Sequence, residues 1–356
     1  MTPFRGRAYP RFTPLILASG LACAAGDQAR AVGRVLSVTT VTDGAGVELF
    51  RPVAASIRPG PDLVVLDKSN AELLLLPADR GVDTLARKGS GPGELSRPSA
   101  VGWSPADSAV VVVDHGNGRI QRMSLTGTVR SIVPYHRGAR DLALSPDGQF
   151  LFASTYAVTF SWSSGRLAVP GDSLVTVVSL GDGTTDRLLG SPRPYPGQLV
   201  TIMGNDVRLA YDARADGVWL AWPFEPVVAF YPSDAETGVA RTWEFRLPFT
   251  PGEPKDVRTR QPPFLDYDAQ TVVHDLAVED GYVMLLVSVA AAPREASSTD
   301  MAQVPQAIYV LNPGGELVCV VPLPITGTSM AFERPGAMIV VDGGSGVIFR
   351  VRYECP

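Results

Sequence analysis

Residues 87–133 read RKGSGPGELSRPSAVGWSPADSAVVVVDHGNGRIQRMSLTGTVRSIV. A glycine-rich connection opens the stretch, and four short apolar segments follow. Residues 100–103 (AVGW) form a first run, closed by Ser104-Pro105-Ala106-Asp107, where Pro and Asp suit a tight turn. Residues 110–113 are all valine, the pattern of a strand buried on both faces. Asp114-His115-Gly116-Asn117-Gly118 is a second turn, residues 120–123 a third strand, Thr126-Gly127 a third turn and residues 129–133 a fourth strand.

Four antiparallel strands in about 40 residues make one blade of a β-propeller. The rest of the chain repeats the unit more loosely, as an apolar strand, a polar turn and a very apolar second strand. The paired runs are 53–57 with 63–66, 100–103 with 110–113, 142–144 with 150–153, 209–211 with 218–222, 276–278 with 283–287 and 330–332 with 338–341. The expected fold is all-β, a six-bladed propeller of four-stranded antiparallel blades over residues 34–356. The segment VVVDHGNGRIQRMSLTG resembles the NHL-type blade, in which Asp and Asn flank the middle turn and Arg-Ile-Gln follows. The preceding GSGPGELSRP resembles the connection found in bacterial six-bladed propellers of that kind.

The last unit lacks a fourth strand, while residues 34–41 (RVLSVTTV) are strand-like and belong to no other blade. Supplying that strand from the N-terminus closes the ring and removes exposed edges. Asp67 to Asn70, Asp114 to Asn117 and Asp342 to Ser345 form similar middle turns, whose side chains are expected to bond nearby backbone. Long Pro-rich connections, read as irregular, cover residues 190–207 and 248–273, and another long stretch covers 291–306. Connections between blades and middle turns within blades share one face of a propeller, so the extra chain gathers there.

The chain has 356 residues, of which 45% are hydrophobic and 19% charged, enough to bury a large core. A net charge of −5 gives no electrostatic reason to expect nucleic-acid binding. Arg5, Arg7 and Arg11, the apolar residues 12–22 and the small residues before Cys23 resemble a bacterial export signal with a lipobox. The usual lipobox has Leu three before the cysteine; here Gly20 stands there. The expectation is a signal peptide over residues 1–23, lipid on Cys23 and a tether over residues 24–33, with plain signal cleavage or a simple membrane anchor as alternatives. The protein would then be exported, periplasmic or at the cell surface, touching the membrane only through its lipid. Cys319 and Cys355 can pair in an exported protein or remain two buried thiols.

His115, His136 and His274 sit in different units without metal-ligand spacing, and no nucleophile elbow, P-loop or EF-hand occurs. No cofactor is expected, with Ca²⁺ alone kept open. Arg140-Asp141-Leu-Ala-Leu and His274-Asp275-Leu-Ala-Val occupy matching blade starts near the channel mouth. Each Asp can bond the neighbouring blade's backbone or an Arg, or the charges can form a polar funnel that binds a ligand or a divalent cation. The nearby loops carry His136, Arg137, Arg193, Tyr195, Arg258, Arg260, Phe264 and Tyr267. Arginine with aromatics suits recognition of a protein, peptide, glycan or small anionic ligand. One reading is therefore a binding module working through its blade-connection face. The alternative is a metal-assisted hydrolase or lyase, because six-bladed lactonases and amidating lyases resemble this architecture and place carboxylates, Asn or His around a channel metal. Only Asp141, Asp275 and His274 could serve that role here.

Overall fold

The computed structural model describes residues 31–42, 48–56, 60–78, 81–155, 160–161, 166–167, 173–234, 241–258, 265–291 and 304–356, with backbone alone for 54–56, 160–161, 166–167, 257–258 and 265–268. It is an all-β propeller of six four-stranded antiparallel blades around a common axis. The blades begin at Pro52–Ser56, Ala100–Ser104, Leu142–Leu144, Arg208–Asp212, Val273–Glu279 and Ser329–Arg334, numbered here blade 1 to blade 6.

Blade 2 shows why the sequence folds this way. Ala109–Asp114 is buried throughout, since it has strands on both edges and a neighbouring blade on each face. Val110 and Val112 pack toward blade 1, Val111 and Val113 toward blade 3. Each fully buried valine contributes about 1.5–3 kcal/mol relative to exposure. Asp114, Asn117, Arg119 and Gln121 then clamp the preceding glycine-rich connection. Asp114 accepts the N–H of Ser96 at 2.7 Å, and Gln121 accepts from Gly93 at 2.9 Å and donates to the Glu94 carbonyl at 2.7 Å. Asn117 and Arg119 donate to the carbonyls of Gly89 and Gly91. The residues that carry the NHL resemblance thus hold a connection in place. The middle-turn aspartates of blades 1 and 6 also bond their own turns, Asp67 to Ser69 and Asn70, Asp342 to Gly344 and Ser345.

The ring closes where the unassigned N-terminal strand suggested. Arg34–Thr40 runs antiparallel to Val347–Glu354 and completes blade 6. The closure extends further than expected. Ala31–Val32, within the stretch read as tether, pairs in parallel with Cys319 and Val320 on the outer strand of blade 5. Residues 31 and 32 thus take part in the closure, and residues 24–30 of that stretch lie outside the described residues. Gly33 steps between the two blades, and a Cβ there would stand 2.5 Å from the Glu354 carbonyl oxygen and 2.8 Å from the Val321 side chain. Cys319 and Cys355 are disulfide-bonded, with Cα atoms 6.0 Å apart, across the same seam.

Two connections read as irregular contain regular structure. Gln198–Gly204 is a short α-helix, with Val200 packed on Phe224 and Ala269. Its first turn is held by Asp256, which accepts the N–H groups of Leu199 and Val200. Lys255–Arg258 and Leu265–Asp268 form a two-stranded hairpin. Both lie in blade-to-blade connections and so rise from the face that carries the middle turns.

Candidate functional site

The start of each innermost strand reaches the channel mouth on that face. Asp141 and Asp275 do matching work there. Asp141 accepts the N–H of Leu142 at 2.8 Å and, across the blade boundary, that of Leu209 at 2.8 Å. Asp275 accepts from Leu276 at 2.9 Å and from Met330 at 2.6 Å. Arg208 holds the corresponding place in blade 4 with inverted polarity. It donates to the His274 carbonyl at 2.8 Å and to the Asp206 carbonyl at 2.9 Å. The aspartates thus take the framework role, joining neighbouring blades.

The charges form a compact group. Asp206 is almost fully buried and lies 3.1 Å from Arg140 Nε and 3.6 Å from Arg208 Nη1. Arg140 remains about half exposed. Burial raises the Asp141 carboxyl above its ordinary range. Burial, reinforced by repulsion from Asp141, pushes Asp275 up to about 7. Burial disfavours the charge of Arg208, but Asp206, Asp275 and Asp141 outweigh it and raise its pKa, so it stays ionised. His274 Nε2 lies 2.8 Å from the Ser288 hydroxyl, and burial together with Arg208 pushes its pKa down to about 4, leaving a neutral ring.

A residue that sequence reasoning missed completes the group. Lys68 belongs to the middle turn of blade 1, and its amine responds to the charges of Arg140 and Asp141 of blade 3 and of Arg208 and Asp206 of blade 4. Burial, then Arg140, lowers its pKa to about 8. Its ammonium makes no hydrogen bond or direct ion pair among the described residues. Asp206 and Arg208 were also missed, although Arg208-Leu-Ala-Tyr aligns with the two Asp-Leu-Ala motifs and could have been found by that signal.

The other residues proposed from sequence separate into two groups. Arg193 and Tyr195 form a cluster of their own: both bond the Glu225 carboxylate, and the Arg193 guanidinium lies 4.2 Å over the Trp222 ring. Burial, then Glu225, raises the Tyr195 hydroxyl pKa, so it remains a donor. Arg193 is thereby engaged by Glu225. Arg137 and His136 stand exposed before blade 3. Arg258 and Tyr267 lie on the hairpin strands, but their side chains are outside the described residues, as are Arg260, Phe264 and Cys23 altogether.

A metal would need free donors. Both oxygens of Asp141 and of Asp275 accept backbone N–H groups, and His274 Nε2 is taken by Ser288. Among the described residues no group of three His, Cys, Asp or Glu side chains is placed to hold one. Asp141, Asp275 and His274, the three residues that the metal reading needs, do not form such a group.

No family model matches the chain, and no curated protein matches it in sequence. Solved structures do share its form. A gluconolactonase from Xanthomonas campestris is 14% identical over 92% of this chain and 97% of its own, with a TM-score of 0.53. A streptogramin B lyase is 10% identical over 89% of this chain and 98% of its own, with a TM-score of 0.51. A Bacteroides thetaiotaomicron protein of unknown function is 10% identical over 92% and 74%, with a TM-score of 0.52. At these identities the likeness is one of fold, and the chain is similar to all three as a six-bladed β-propeller.

Proposed function

We propose that this is an exported, lipid-anchored propeller of NHL-like type that binds a small organic anion at its channel mouth. One observation carries the reading. Arg140 stands about half exposed at the mouth and meets Asp206 through Nε, while Asp141 and Asp275 beside it are engaged by backbone N–H groups of the next blade. A half-exposed guanidinium offers planar donors that suit a carboxylate or phosphate. Export is supported by the disulfide, since such bonds persist in oxidising compartments. Lipid on Cys23 rests on the sequence pattern alone.

The propeller fold of the gluconolactonase and the lyase is compatible with a metal-assisted hydrolase or lyase, but the engaged carboxylates weigh against that reading. The test is a thermal-shift series with acetate, succinate and phosphate on wild type, Arg140→Gln and, on the opposite face, Arg214→Gln. Anion-dependent stabilisation should be lost in Arg140→Gln and kept in Arg214→Gln. Equal behaviour of all three proteins would defeat the proposal.

A further inference from the structure

The disulfide sits where the N-terminal segment changes blades. Ala31–Val32 lies on Cys319 and Val320 of blade 5, and the Gly33 N–H donates to the Val320 carbonyl at 2.9 Å. Arg34–Thr40 then lies on Val347–Glu354 of blade 6, and Arg34 pairs with Glu354. Cys355 follows directly on Glu354 and is bonded to Cys319. The bond therefore joins the two strands that receive the segment, at its crossing point.

The two cysteines have different surroundings. Cys355 is exposed, whereas Cys319 is 2% exposed and lies in the apolar cluster of Val321, Leu323 and Tyr353. Gly33 lies against it, since a Cβ there would stand 3.0 Å from the Cys319 Sγ. A thiol from solution approaches from the Cys355 side, and its attack expels Cys319 as a thiolate. Apolar surroundings raise the pKa of a thiol and disfavour that charge. The segment resting on the Cys319 sulfur has to lift for water to solvate it, so breaking the bond and freeing the segment are coupled.

We propose that Cys319–Cys355 is a redox latch on ring closure. A low-molecular-weight thiol opens it from the Cys355 side, and reduction frees residues 31–40 from blades 5 and 6 while the other blades stay folded. The thiolate attacks the Cys355 Sγ, and the sulfur–sulfur bonding pair leaves with the Cys319 Sγ, which takes a proton. A second thiolate attacks the sulfur now attached to Cys355 and releases that cysteine, which takes the other proton. Two small thiols are oxidised to one disulfide and the protein disulfide is reduced to two thiols. The freed segment leaves the outer edges of both blades open to pair with another strand.

The test is titration with glutathione at graded ratios of reduced to oxidised form, read by peptide mapping and by hydrogen exchange. The mixed disulfide should form on Cys355 and not on Cys319. After reduction, exchange over residues 31–40 should quicken about tenfold or more beyond any change over Gly217–Ala221 of blade 4. Cys355→Ser should show the same fast segment without reductant, and oxidised glutathione should restore slow exchange in wild type. Glutathione on Cys319, or a bond that stays intact until the whole protein unfolds, overturns the proposal. Unchanged exchange over residues 31–40 in the reduced protein overturns it as well. So does equal acceleration in blade 4, because the bond would then stabilise the whole ring and latch no single segment.

Discussion

Asp275 Oδ2 accepts the backbone N–H of Met330 at 2.6 Å, and so one side chain ties the innermost strand of blade 5 to that of blade 6. Asp141 makes the equivalent tie from blade 3 to Leu209 of blade 4. Alanine at either position leaves two N–H groups unmet in a buried place. Each substitution should cost about 2–5 kcal/mol, the sum of two unsatisfied donors. Denaturant unfolding measures this, and losses below about 0.5 kcal/mol would show that the ties are incidental.

The same residues set a pH dependence. Asp275 holds its proton up to about 7, well above the unfolded value of 3.8, so its stabilising contribution is complete below the unfolded pKa and is lost as pH rises through 7. His274 runs the other way. Its pKa falls from 6.5 to about 4, so its contribution is present above 6.5 and is lost as pH falls toward 4. The two slopes oppose each other in the window they share. As pH is raised from 4.5 to 7.5, His274→Gln should therefore lose stability and Asp275→Asn should gain it. Parallel melting profiles for both variants and wild type would show that neither group titrates as described.

The disulfide between Cys319 and Cys355 spans a sequence separation of 36 residues. Its removal should cost about 3–4 kcal/mol on chain-entropy grounds. Reduction of wild type and the Cys355→Ser variant should lower the melting temperature by similar amounts. A reduced protein that melts unchanged would mean that the closed seam holds without its covalent link.

Ring closure makes a separate expectation. A chain starting at Asp43 lacks both Ala31–Val32 and Arg34–Thr40 and exposes the edges of blades 5 and 6. It should aggregate or melt far below wild type. Gly33→Val should show a milder form of the same defect, because its Cβ meets backbone at 2.5 Å. Sedimentation and thermal melting decide both.

The blades could be read from sequence because their signals are local. Each strand and turn of residues 100–133 lies next to its partner, so turn residues and valine runs suffice. Closure could be read because residues 34–41 had no other blade to join. The pairing of Cys319 with Cys355 could not, since a distance across two blades is not written in either neighbourhood. Lys68 was hidden for the same reason. In sequence it is a turn residue after Asp67, and only the ring brings it to Arg140 and Arg208. The helix Gln198–Gly204 was too short, and too dependent on Asp256 from another connection, to show a helical period.

Under the proposed function, Arg140 contacts the bound anion and Lys68, whose amine feels the Arg140 charge, adds to the same site. Calorimetric titration of succinate and phosphate into wild type, Lys68→Met, Arg140→Gln and the double variant tests it most directly. Each single variant should bind the preferred anion about tenfold more weakly, and the double variant should lose less than the product of the two, because both contacts serve one anion. Unchanged affinity in both single variants, or no binding by wild type, would show that the channel mouth is not an anion site.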